Sequence, residues 1–205
     1  MANIIQLPLS KDEYFQEPCK KTLIVLHHTV GGTAQSSINY WEHDPRRVAT
    51  AFVVERDGTT YQAFPAQHWA YHIGLGNKAL EQRSIGIEIA SEGGLTEKDG
   101  ALYKFGVVSP RTLYTGPVYD HGSAWRGFRY FAEYTPQQVH AAIALALMLC
   151  ADFKIDRNPT TDPLTYDPQA IHFHGITTHA ALRKDKSDLH PGFPWRKLQL
   201  EVTNG

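Results

Sequence analysis

The sequence predicts an α/β fold in which α-helices flank a central mixed β-sheet, formed by one domain that spans residues 1–205. Three observations support this prediction: a continuous apolar run, a hairpin signal and a long capped helix. The chain has 205 residues, of which 42% are hydrophobic and 20% charged, which suffices for one sizeable core. It has no internal repeat and no Gly/Ser linker, so nothing in it indicates a boundary between domains.

Strand-like segments dominate the first half of the chain. Residues 22–27 form an apolar run that ends in histidine, a pattern typical of an interior strand covered on both faces. Residues 51–56 and 59–64 flank an Asp-Gly pair, which predicts a β-hairpin. Residues 84–89 place isoleucine at every second position and predict a further strand.

Two segments predict helices, and one predicts irregular structure. A short helix is expected at residues 36–41. A longer helix is expected at residues 135–153, where a threonine cap, a proline at the first helical position and a glutamine suited to a capping box precede apolar sequence. Residues 93–134, rich in Gly, Tyr and Arg, predict a surface excursion of low regularity that borders a groove.

Charge and composition argue against several classes of partner. The chain has 20 basic and 21 acidic residues and a formal net charge of −1, so we expect no nucleic-acid partner. No apolar run approaches the roughly 20 residues that cross a bilayer, and we expect no stable membrane association. Residues 1–6 lack the features of a secretory signal, which predicts synthesis in the cytoplasm. Cys19 and Cys150 are too few and too far apart for a disulfide framework or a cysteine metal site.

Histidine and aspartate residues from both ends of the chain suggest a metal site. The first predicted strand ends in His27-His28, and His179 and Asp188 follow about 150 residues later. Two imidazoles and a carboxylate suit zinc with one position left open, which is typical of hydrolytic zinc sites. Neighbouring residues on a strand point to opposite faces, so only one of the two adjacent histidines can serve this metal.

Other histidines are alternative ligands. His172 and His174 lie on one face of a predicted strand, although no Lys-x-Asp pattern follows them at the distance at which one follows His179. His190 lies two residues after Asp188 and competes for the third ligand position if the turn there is shifted. From the residues alone, these alternatives remain open.

Six short motifs, taken in their order, resemble a known family. They are His27-His28-Thr29, the hairpin at 56–59, His72-Ile73-Gly74, the strand at 84–88, His179 with Lys186-Ser187-Asp188, and the segment 191–195. In this order they are similar to the zinc-dependent N-acetylmuramoyl-L-alanine amidases of the phage-lysozyme and peptidoglycan-recognition type. The resemblance covers residues 20–200. It implies a Zn2+ site in a surface groove with His27, His179 and Asp188 as ligands, and it makes His28 a packed or supporting histidine.

The resemblance also implies catalytic roles for two charged residues. Glu88 becomes the general base, although strand alternation alone favours a solvent-facing glutamate at this position. Gly86, on the same face, is expected to leave space for a substrate backbone. Lys186 becomes the cation that stabilises the developing oxyanion, with Lys184 as its rival in the same charged stretch.

The implied substrate is peptidoglycan, cleaved at the amide between N-acetylmuramic acid and L-alanine. His72, Asn77 and Arg83 are expected to line the groove and contact glycan or stem peptide. Thr50 stands where many relatives carry a tyrosine that assists at the metal, and we expect it to border the substrate. This departure places more of the catalysis on Glu88.

Three biological roles fit these features. A monomeric phage or prophage endolysin, which acts on the cell wall after release, is favoured by the compact layout and the Lys-Ser-Asp string. A cytoplasmic amidase that recycles wall fragments would use the same residues. A peptidoglycan-binding module without activity is the alternative from another class, and the presence of all three candidate ligands argues against it.

Overall fold

The computed structural model describes residues 4–104 and 112–204. They form a mixed α/β fold with a six-stranded sheet, helices on both of its faces and a smaller second sheet. The strands of the main sheet are β1 (Ile4–Gln6), β2 (Leu23–His28), β3 (Phe52–Val54), β4 (Thr60–Gln62), β5 (Ser84–Ile89) and β10 (Gly175–Thr178). The helices are α1 (Ala34–Trp41), α2 (Lys78–Arg83), α3 (Pro136–Phe153), α4 (His179–Leu182) and α5 (Trp195–Asn204), with two 3-10 helices at Lys11–Glu13 and Pro168–His172. None of the described helices is long and apolar enough to cross a membrane.

The main sheet is mixed, as predicted. Its strand order is β1-β4-β3-β5-β2-β10, and all neighbours are parallel except β3 and β4. Strand β2 lies in the interior of the sheet, and all six of its residues are buried. The carboxyl ends of the parallel strands β10, β2 and β5 therefore lie side by side at one edge of the sheet.

The predicted hairpin is confirmed. Strands β3 and β4 pair antiparallel, and the amide of Glu55 donates to the carbonyl of Thr59 across the turn. Gly58 has a φ of +88°, a conformation that side-chain-bearing residues rarely adopt. The observed strands are shorter than the predicted ones: β3 ends before the polar pair Glu55-Arg56, and β4 ends before Ala63 and Phe64, which are buried outside the strand.

The long predicted helix is confirmed with its cap. The Thr135 side chain accepts from the amide of Gln138, and the Gln138 side chain accepts from the amide of Thr135. Helix α3 packs against β3, β5 and α5 and closes the larger hydrophobic core on one face of the sheet. A smaller core, which includes Leu23 and Val25 of β2, lies on the opposite face with residues of α2 and α4.

The segment 93–134 differs from the prediction. Its described part contains four strands, β6 (Gly94–Lys98), β7 (Ala101–Lys104), β8 (Val118–Trp125) and β9 (Phe128–Ala132), which form an antiparallel sheet in the order β7-β6-β9-β8. The expectation of low regularity is therefore wrong for these residues, while 105–111 lie outside the described residues. Most side chains of this sheet are partly or fully exposed, so its sequence lacks the apolar run that marks a buried strand.

Candidate metal centre

Two neighbouring strands bring the candidate histidine ligands together. The register of β10 with β2 pairs Thr178 with Leu26, so His27, which continues β2, and His179, which begins α4 directly after β10, lie side by side near the carboxyl ends of the two strands. Asp188 lies in the loop after α4, and its backbone carbonyl accepts the amide of Ala180. Sheet topology thus places residues from the two ends of the chain at one point.

The three side chains converge closely. The Nδ1 atoms of His27 and His179 are 3.0 Å apart, and each lies 2.9 Å from Oδ2 of Asp188. Both histidines are buried, and the aspartate side chain is 13% exposed. Among the described residues, these three form the one group of at least three His, Cys, Asp or Glu side chains whose geometry suits a metal ion.

The protonation states of His27 and Asp188 suit a metal. Burial and the neighbouring His179 lower the pKa of His27 to about 4, so its imidazole is neutral at neutral pH. Burial raises the pKa of Asp188, but His179 and His27 outweigh this effect and hold the pKa well below its usual range. Neutral imidazole nitrogens and an ionised carboxylate are the forms that ligate, and two nitrogens with one oxygen are a donor set that zinc accepts.

Glu88 lies beside His27 and on the same face of the sheet. The parallel register of β5 with β2 pairs Glu88 with His27, and paired residues point to the same side. Its side chain is partly buried, and no described residue hydrogen-bonds its Oε2 atom. Burial raises the pKa of Glu88 well above its usual value, Asp188 raises it further, and Lys186 opposes the shift. The carboxylate is therefore free to accept a proton and has an environment that makes it a stronger base.

The space beside Gly86 differs from the expectation. A Cβ atom built on Gly86 would lie 2.6 Å from Cγ2 of Thr50 and 3.1 Å from Cγ of His72. The expectation that this position accommodates a substrate backbone is therefore wrong, because two side chains of the protein already occupy it.

A groove of about 390 Å³ opens beside the candidate metal ligands. It is lined by residues within 40–48, 71–74 and 179–186. Lys186 lines it, and its charge acts on both His27 and Glu88. Lys184 instead lies over the ring of Tyr166, 5.1 Å from its centroid, and is exposed. Of the two rival lysines, Lys186 is thus the one at the groove.

The other predicted substrate residues lie at different depths. His72 borders the groove, but its side chain is 5% exposed and both ring nitrogens are engaged. Thr50 is 2% exposed and donates its hydroxyl to Phe52 O. Asn77 is exposed and caps α2, and Arg83 donates to carbonyls of the segment 171–173. The contacts of these residues with substrate stay predictions.

The alternative ligands lie outside the cluster. His28 points to the other face of β2, where its Nδ1 lies 3.2 Å from the hydroxyl of Tyr134. His190 stacks on Tyr134 with 4.2 Å between ring centroids, and its Nδ1 accepts the amide of Gly192. His172 and His174 are exposed.

Sequence comparison identifies a family. The chain matches the family model described as N-acetylmuramoyl-L-alanine amidase over residues 17–192. No curated protein sequence matches the chain.

Solved structures of low sequence identity share the fold. PlyL is 14% identical with a TM-score of 0.61, covering 98% of this chain and 96% of that chain. A mutant endolysin from Bacillus subtilis is 17% identical with a TM-score of 0.57, covering 98% and 99%. The E. coli amidase AmiD, in complex with the substrate anhydro-N-acetylmuramic acid-L-Ala-D-gamma-Glu-L-Lys, is 22% identical with a TM-score of 0.58, covering 91% of this chain and 59% of that chain.

Proposed function

The chain belongs to the N-acetylmuramoyl-L-alanine amidase family, and on that premise we propose that residues 1–205 form one zinc hydrolase domain with His27, His179 and Asp188 as the metal ligands. The family's reaction is hydrolysis of the amide that joins N-acetylmuramic acid to L-alanine in peptidoglycan. The observation that carries the proposal is the convergence of three ligand atoms, 2.9–3.0 Å apart, from segments separated by more than 150 positions.

Zinc held by these residues would lower the pKa of a water molecule toward about 7 and polarise the scissile carbonyl. Glu88 is the general base in this proposal: it takes a proton from the attacking water and passes it to the departing amine of L-alanine. Its raised pKa supports this role, because a general base works best when its pKa lies near the working pH. Lys186, which lines the groove, stabilises the negative charge that develops on the carbonyl oxygen.

The test is a digest of purified peptidoglycan, read by mass spectrometry for stem peptides that begin with L-alanine. We expect these peptides from the wild-type protein with zinc, and a loss of them with a chelator or with Glu88→Gln. Glu97→Gln changes an exposed glutamate of β6 in the same way and serves as the matched control. Intact muropeptides from zinc-loaded wild-type protein would contradict the proposal and favour a binding module.

We propose an endolysin role in preference to wall recycling, with action on the cell wall after release from the cytoplasm. The compact layout and the Lys186-Ser187-Asp188 string, which resemble those of endolysins, support this proposal. Intact sacculi and soluble anhydro-muropeptides, compared as substrates, separate the two roles. Faster cleavage of sacculi supports the endolysin, and faster cleavage of soluble fragments supports recycling.

We propose that the protein acts as a monomer on peptidoglycan. All three candidate ligands, Glu88 and Lys186 come from one chain, so the site needs no residue from a second copy. Activity per chain that stays constant over a wide range of protein concentration supports this proposal, and activity that falls on dilution contradicts it.

A further inference from the structure

His27 belongs to a chain of hydrogen bonds, and the donor and acceptor roles in this chain are fixed at its far end, at Ser84. The hydroxyl of Ser84 donates to the carbonyl of Glu81 at 3.0 Å, so its oxygen accepts from Nε2 of His72 at 2.8 Å. The Nδ1 atom of His72 then carries a lone pair and accepts from Nε2 of His27 at 2.9 Å. The remaining nitrogen of His27, Nδ1, keeps its lone pair and faces Asp188.

Ile73, the residue after His72, contacts the second candidate ligand, His179. Nε2 of His179 lies 2.9 Å from the backbone carbonyl of Ile73. A carbonyl oxygen only accepts, so Nε2 of His179 donates to it and Nδ1 is the nitrogen that remains to ligate a metal. Two consecutive residues, His72 and Ile73, therefore direct the Nδ1 atoms of both candidate ligands to one point.

A buried carboxylate holds this segment in place. Glu81 is 1% exposed, and its two oxygens accept the backbone amides of His72 at 3.0 Å, Ile73 at 3.1 and 3.3 Å, and Gly74 at 2.8 Å. Hydrogen bonds from backbone amides to an ionised carboxylate are stronger than those between neutral groups. From the groove side, Nη1 of Arg183 donates to the carbonyls of Ile73 and Gly74 at 3.0 and 3.1 Å.

The imidazole of His72 also has little freedom to rotate. Gly86 lies directly against it, at a position where an added Cβ atom would come within 3.1 Å of Cγ of His72. The ring is 5% exposed and hydrogen-bonded at both nitrogens. Packing and hydrogen bonds thus fix the same orientation.

We infer that His72 and Glu81 are positioning residues for the metal: the Glu81 carboxylate holds the segment His72–Gly74, and this segment orients the two histidine ligands. The inference rests on the proposed zinc site and extends it by two residues that are not themselves metal ligands. Partners of this kind set the orientation and basicity of a ligating histidine, and their removal typically costs about 10–100-fold in metal affinity.

The test measures zinc affinity by competition with a chelator, and the visible absorption of the Co2+-loaded protein as a report on ligand geometry. We expect His72→Leu and Glu81→Gln each to weaken zinc binding by about 10–100-fold and to alter the Co2+ spectrum. His72→Asn keeps an acceptor at the place of Nδ1, so we expect it to restore most of the affinity that His72→Leu loses. Leu149→Ala, a core change in α3, is the control for lost stability and should leave zinc affinity unchanged.

The outcomes separate this inference from the proposed function. Tight zinc binding by the wild type, with equal affinity and spectrum in His72→Leu and Glu81→Gln, would overturn the inference and leave the proposed amidase site standing. A loss of affinity in Leu149→Ala as large as in the two variants would also overturn it, because general destabilisation would then explain the effect. Failure of the wild-type protein to bind zinc would overturn both the inference and the proposed metal site.

Discussion

Two lysines separated by one residue have different surroundings in this protein. Lys186 lines the groove, and its charge lowers the pKa values of both Glu88 and His27. Lys184 is exposed and lies over the ring of Tyr166. Both lie in the same charged stretch, so the sequence alone leaves open which of them stabilises the oxyanion. In the folded protein only Lys186 points into the groove, whereas Lys184 points toward Tyr166.

We therefore predict that Lys186→Ala lowers kcat for muropeptide hydrolysis by about 100- to 1,000-fold, because it removes a fixed positive charge at the oxygen where negative charge develops. KM should change much less, since this interaction is strongest in the transition state. Lys184→Ala, the matched control, should keep wild-type kcat. Steady-state kinetics on a soluble muropeptide measure both variants, and equal loss of kcat in the two would contradict the assignment.

At the same scale, sequence reasoning located the residues that meet at the site, gave His72 a different role as a substrate contact, and missed Glu81. His27, His179, Asp188 and Glu88 stand in motifs of fixed spacing, so a resemblance can point to them. Glu81 acts on backbone amides of a segment seven to nine positions earlier, and such partners impose no side-chain pattern on the sequence. Its role becomes visible only when the loop and α2 are seen together.

At the scale of elements, strand β2 serves two environments through its alternation. On one side of the sheet, His27 faces the other two candidate metal ligands, His179 and Asp188. On the other side, His28 lies with His190 and Tyr134. Burial lowers the pKa of His28 to about 4, and burial together with His28 holds the pKa of His190 well below its usual value. Two buried, neutral histidines thus pack against each other and against Tyr134 on this face of the sheet.

The protein should lose stability in acid for this reason. An unfolded histidine has a pKa near 6.5, so between pH 6.5 and about 4 the unfolded chain binds protons that the folded His28 does not. The contribution of His28 to the free energy of unfolding is therefore complete above pH 6.5. It decreases by about 3 kcal/mol as the pH drops toward 4. In urea unfolding of the metal-free protein, His28→Asn should flatten the decline in the free energy of unfolding over this range. The exposed His140→Asn should keep the wild-type profile, and an unchanged slope in His28→Asn would contradict the prediction.

The elements that sequence reasoning predicted correctly have local signals. The hairpin has an Asp-Gly turn, and α3 has a threonine cap with its glutamine partner. The sheet formed by β6–β9 carries comparable turn signals, Asp99-Gly100 between β6 and β7 and Arg126-Gly127 between β8 and β9, with all four residues at positive φ. It lacks an apolar run, because most of its side chains remain at least partly exposed, and this is why the sequence predicts an irregular segment there. Its bulged β8–β9 pair further breaks the alternation that marks a strand.

At the scale of the whole molecule, the candidate metal ligands come from distant parts of the chain. His27 and Asp188 are 161 positions apart, and their convergence depends on β2, β10 and the loop after α4 being folded together. Zinc bound by this group would bind the folded state and not the unfolded chain, in which the ligands are far apart. Metal binding and global stability are therefore coupled.

We predict that zinc at 100 times its dissociation constant stabilises the protein by about 2.7 kcal/mol, which corresponds to a rise of about 5–10 °C in Tm for a chain of this size. Thermal unfolding followed by circular dichroism, with zinc and with a chelator, measures the shift. Asp188→Asn should remove the zinc-dependent part of Tm, because it takes away the ionised ligand, whereas His174→Ala, which changes an exposed histidine just before β10, should retain it. A zinc-dependent shift that survives in Asp188→Asn, or disappears in His174→Ala, would show that the stabilising metal binds somewhere other than between β2, β10 and the 188 loop.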